Sequence, residues 1–80
     1  MNSDLKDIAG AVVAEVERAT RMYGSFNSAH EGYAVLKEEV DELWDEIKNK
    51  RPDNSLMEKE AIQVAAMAIR FVYDVCLENE

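Results

Sequence analysis

The stretch Glu38-Glu39-Val40-Asp41-Glu42-Leu43-Trp44-Asp45-Glu46 decides how this chain is read. On a helix turning ~100° per residue, Tyr33, Leu36, Val40, Leu43, Trp44 and Ile47 form one apolar stripe, and Glu38, Glu39, Glu42 and Glu46 gather on the opposite side. Like charges one turn apart repel by a few tenths of a kcal/mol each, and a bound cation removes that repulsion. Oxygen-only ligands favour hard ions, and Mg²⁺ is usually held by a few carboxylates together with water and substrate phosphates. The alternative on spacing alone is a solvated acidic face.

Outward from this run, the pattern predicts three helices. Leu5, Ile8, Ala9, Val12, Val13, Val16 and Ala19 recur at helical spacing, so a first helix is expected over about 3–22, with a charged outer face. Gly24 then suits the left-handed position after a helix end. Ser28 and Glu31 form a capping box that opens a second helix, expected to run to about Lys50, where Lys48, Lys50 and Arg51 complement the negative helix end. Pro52-Asp53-Asn54 supplies a turn, and Ser55-x-x-Glu58 repeats the capping pattern at the head of a third helix, roughly 55–77.

That third helix is apolar over most of its circumference, from Ile62 and Val64 to Val75 and Cys76, and two other helices of one chain do not readily cover it. The expected fold is all-α: one domain over 1–80, a three-helix chain that completes a helical bundle by homo-oligomerisation. Cys76 lies in apolar helical context and is expected as a buried reduced thiol; Trp44, Tyr33 and Phe26 are expected in the core, the alternative being an aromatic at a bundle edge that stacks on a base. No apolar run approaches ~20 residues and no signal-peptide pattern stands at the start, so the expected location is cytoplasmic, with no membrane association.

Nine Lys and Arg stand against 17 Asp and Glu, a formal charge of -8. Such a chain does not attract a polyphosphate backbone, so neither DNA nor RNA is an expected partner. A small anionic substrate remains compatible only if metal ions invert the local potential.

On the third helix Glu60, Gln63, Met67, Arg70 and Asp74 share one narrow stripe. Facing the acids of the second helix, Glu60 and Gln63 would complete an oxygen-rich cage, with Arg70 neutralising a phosphate or a surplus carboxylate. Otherwise Glu60 is a first-turn acid and Arg70 with Asp74 a surface pair worth ~0.3 kcal/mol.

Glu38-Glu39-x-x-Glu42 followed by Glu60-x-x-Gln63 resembles the MazG-like all-α nucleoside triphosphate pyrophosphohydrolases, and the segments 30–36 and 60–67 look like short stand-alone members. The resemblance spans most of the second and third helices. It implies a homodimer or homotetramer and Mg²⁺ (or Mn²⁺) held by Glu38, Glu39, Glu42, Glu60 and Gln63. The reaction it implies is cleavage of a nucleoside triphosphate between the α- and β-phosphates to a monophosphate and pyrophosphate. Glu39, at the border of the acid face and the apolar stripe, is expected to be the most desolvated acid and so the general base. Lys37, Lys59 and Arg70 are candidate phosphate contacts, and His30 is expected in a solvated or capping role.

The usual second motif of that family is Glu-x-x-Asp; here its last position is Gln63, a neutral amide and a weaker Mg²⁺ ligand. A site with fewer fixed metals, a shifted substrate preference, and a catalytically inactive oligomeric module that binds metal or a partner are all compatible with that change. A di-iron carboxylate bundle needs Glu-x-x-His pairs, and the one histidine, His30, has Asn27 three residues before it.

Overall fold

The chain is all-α in a computed structural model that describes residues 2–77. Helix α1 spans Asn2–Tyr23, α2 Ala29–Ile47 and α3 Asn54–Phe71, and α3 runs on into a π-helical turn over Val72–Leu77. No strand occurs among the described residues. Among them, too, no helix is long and apolar enough to cross a membrane.

The helix ends are set by single side chains. Gly24 closes α1 with φ +74°, its N–H donating to the Thr20 carbonyl at 2.9 Å, the left-handed ending that glycine adopts without strain. Ser28 opens α2 by accepting from the Glu31 amide at 3.0 Å. The return half of the expected capping box differs. The Glu31 carboxylate accepts from the Asn27 backbone at 2.6 Å and from the Asn27 side chain at 3.3 Å, two donors in place of the one that Ser28 offers. Helix α2 stops at Ile47 rather than near Lys50, because the Asn49 side chain accepts from the Arg51 amide at 3.0 Å and holds the backbone in a turn. Asp53, not Ser55, caps α3, accepting from the amides of Ser55 and Leu56; a charged acceptor also suits the positive helix end.

Helix α3 packs against both α1 and α2, more extensively against α2. Val12 and Ala19 of α1 meet Ala66 and Met67 of α3 in a small core, flanked by Phe26, Val35 and Leu36. Helix α2 has one main partner, so only the near edge of its apolar stripe is covered: Leu36 and Leu43 are half-buried, but Tyr33, Val40, Trp44 and Ile47 are exposed, Trp44 at 55%. Within the single chain Tyr33 and Trp44 therefore lie outside the core, while Phe26 is half-buried against it. Cys76 is exposed rather than buried, lying on a turn whose neighbours Tyr73 and Leu77 are also uncovered.

The surface area is 5996 Å², against about 4,900 Å² for a self-contained monomer of this mass. The radius of gyration, 13.6 Å, likewise exceeds the ~11.6 Å of a compact 80-residue domain.

One close approach fixes how α2 meets the end of α3. A Cβ on Gly32 would lie 2.7 Å from Phe71 Cδ2 and 3.1 Å from Phe26 Cδ2. Gly32→Ala is therefore expected to destabilise even though alanine is the better helix former. Overpacking costs ~1–3 kcal/mol against a propensity gain of ~1 kcal/mol. A thermal melt checks it, with a drop of several degrees expected for a net loss of ~1 kcal/mol. A raised melting temperature would show that Phe71 swings aside freely.

Candidate metal centre

A cleft of about 530 Å³ opens between α1 and α2 and is floored by α3. Glu39 and Glu42 lie one turn apart on α2, and the second turn of α3 brings Glu60 across from them. One carboxylate oxygen from each of Glu39, Glu42 and Glu60 lies within 4.8 Å of the others. Ligand oxygens on a Mg²⁺ ion stand ~3 Å apart when adjacent and ~4.2 Å when opposite, so the three side chains must draw together to share one ion. All-carboxylate donors match a hard divalent cation rather than a soft one.

The cluster's electrostatics follow from its crowding. Burial, and then the charges of Glu42, Glu60 and Glu38, push the Glu39 carboxyl up to about 7. The Glu60 carboxyl is also raised, by burial first and then by Glu42 and Glu46, with the Lys59 ammonium opposing. A carboxyl whose folded value exceeds its unfolded one keeps its proton longer in the fold. Its contribution to stability is thus present at low pH and lost as pH rises through about 7. A cation has the opposite dependence, because it needs the carboxylate. The melting-temperature difference between excess Mg²⁺ and chelator is therefore expected to widen as pH rises from about 5 to about 7.5. A difference of zero at every pH would mean that the acids hold no cation.

The other expected site residues divide. Glu38, Gln63 and Lys59 line the same cleft, and Glu38 is not among the three clustered carboxylates. Lys37 stands away from it, paired with Asp41 at 2.9 Å on an exposed face. Arg70 lines the far end of the cleft, and with Asp74 it is no surface pair: both side chains are 3% exposed, 3.9 Å apart. The stripe they share faces the α1–α2 loop, which covers them.

Two cleft residues escaped the sequence reading. Glu15 and Arg18 of α1 line the wall opposite α2, joined through two N–H···O contacts of 2.8 and 2.6 Å. The Arg18 guanidinium holds the Glu15 carboxyl below its usual range, and Gln63 and Lys59 act in the same direction. The signal was legible: Glu15 falls at helical spacing between the buried Val12 and Ala19, an acid on an otherwise apolar face.

No protein-family profile, no curated protein and no solved structure matches this chain.

Proposed function

We propose that this protein is a nucleoside triphosphate pyrophosphohydrolase that uses Mg²⁺ (or Mn²⁺) and is built as a homodimer or homotetramer of MazG-like helical chains. The observation that carries the reading is the meeting of Glu39, Glu42 and Glu60 from two helices at one end of a cleft. The spacing of Glu38-Glu39-x-x-Glu42 and Glu60-x-x-Gln63 supports it, as does a net charge of -8 that repels a triphosphate without a cation.

In this reading the three carboxylates hold the cation, which supplies charge neutralisation and Lewis acidity at the phosphates. Glu39, the most buried of the three acids, would accept the proton of the attacking water. The water oxygen bonds to the α-phosphorus, the bridge to the β-phosphorus breaks, and pyrophosphate leaves. Lys59, on the cleft wall, offsets phosphate charge. The uncovered Tyr33, Val40, Trp44 and Ile47 and the excess surface suit a second chain, since a standard interface hides ~800 Å² per partner. Light scattering at micromolar concentration is expected to give a dimer or larger; a 9 kDa monomer would defeat the assembly.

The test of the activity is a panel of standard and modified nucleoside triphosphates assayed for pyrophosphate with Mg²⁺ and with chelator. Gln63 favours a second reading, an inactive module that binds metal or a partner. Activity in Gln63→Asp but not in wild type would select it, and silence of both on every nucleotide would defeat the hydrolase assignment.

A further inference from the structure

The α1–α2 loop is the end wall of the cleft: after Tyr23 at the end of α1, Gly24, Ser25, Phe26 and Asn27 line it in succession. Two buried ionic side chains from the end of α3 hold that wall. The Arg70 guanidinium donates to the Gly24 carbonyl and lies 4.4 Å from the centre of the Phe26 ring. The Asp74 carboxylate accepts from the Phe26 amide at 3.0 Å. Arg70 and Asp74 are 3% and 6% exposed, and both also line a second cavity of about 390 Å³ with Val16, Thr20 and Ser25. Arg70 thus lies between the cleft and the second hollow, and Asp74 backs it from the side of the second. The pair falls where α3 gives way to the π-helical turn that begins at Val72, a wide turn that is frequent at functional sites.

A loop of this kind can be closed without buried charges. Gly24 already ends α1, and Glu31 already anchors Asn27. Burying an ion pair carries a desolvation penalty, and what it adds is a fixed place for one amide and one ring at the cleft wall. We infer that Asp74 is a positioning residue, which through the Phe26 amide and Arg70 holds the 24–27 wall where a nucleoside triphosphate must pack. This rests on the proposed metal-dependent reading of the cleft, but it concerns the end of the cleft away from the acid cluster.

The experiment measures Mn²⁺ binding alone, and then binding of the α,β-methylene analogues of ATP, GTP, CTP and UTP in excess Mn²⁺, for wild type, Asp74→Ala and Asp74→Asn. Asp74→Ala is expected to leave Mn²⁺ affinity unchanged and to weaken the preferred analogue by roughly tenfold or more. In turnover the loss appears as a raised KM with kcat nearly unchanged. Asp74→Asn keeps an oxygen acceptor for the Phe26 amide and is expected to recover most of the affinity. If the alanine variant does not fold, Asp74→Glu carries the test: it keeps the charge and lengthens the arm, and the same selective loss is expected. Folded Asp74→Ala or Asp74→Glu that binds the analogue as wild type does overturns the inference while the hydrolase reading stands. A wild type that binds Mn²⁺ but none of the analogues overturns both.

Discussion

Glu39→Gln is expected to abolish pyrophosphate release, a loss of roughly 10²–10⁴-fold, without unfolding the chain. The substitution keeps the shape of the side chain and removes the group pushed up to about 7 by burial and by its neighbours' charges. It also takes one negative charge from three crowded acids, so in chelator at neutral pH the variant should melt no lower than wild type. In Mg²⁺ the order reverses, because wild type gains more from a ligand bound only to the folded state. Lost activity with retained or increased metal-free stability marks a residue kept for function. Pyrophosphate assays and paired melts check both halves; activity within tenfold of wild type would move the base elsewhere.

The largest expected loss of stability comes from Arg70→Ala. It removes the guanidinium that faces Asp74, caps the Gly24 carbonyl and lies over Phe26, and it leaves the Asp74 carboxylate buried beside one remaining donor, the Phe26 amide. Breaking a buried pair from one side costs ~3–5 kcal/mol, against a total of ~4–12 kcal/mol for a chain of this length. Urea denaturation is therefore expected to show a midpoint far below that of wild type, since a large share of the total is lost. Replacing both members, Arg70→Met with Asp74→Leu, should recover part of the loss by removing both charges, but not all, since the Gly24 carbonyl and Phe26 amide lose their side-chain partners. A loss below ~1 kcal/mol for Arg70→Ala would mean that water reaches the pair.

What was legible in the sequence lay along single helices. The apolar periods of α1 and α3, the left-handed Gly24 and the Ser28 cap are local features, and the structure has each of them. The spacing of Glu39 and Glu42 put both on one face, and the stripe of Glu60, Gln63 and Arg70 on α3 faces the same cleft. What stayed hidden depended on which helix covers which. Tyr33 and Trp44 fit the apolar stripe of α2, but exposure is decided by the number of neighbours a chain supplies, and α2 has one main neighbour. Arg70 and Asp74 resemble an ordinary i,i+4 surface pair until the α1–α2 loop is laid over them. The Asp53 cap was hidden by competition: two acceptors stand close together, and the ionised one takes the amides.

The central place of α3 has a consequence for how the molecule comes apart. Because the acid cluster joins α2 to α3 alone, a sub-global opening that released α1 would leave it intact. The hairpin of α2 and α3 that remains still carries Glu39, Glu42 and Glu60, while Glu15 and Arg18 leave with α1. A half-open molecule would then keep its grip on a cation after losing one wall of its cleft, and a charged ion held on the hairpin would be the last tertiary link to dissolve.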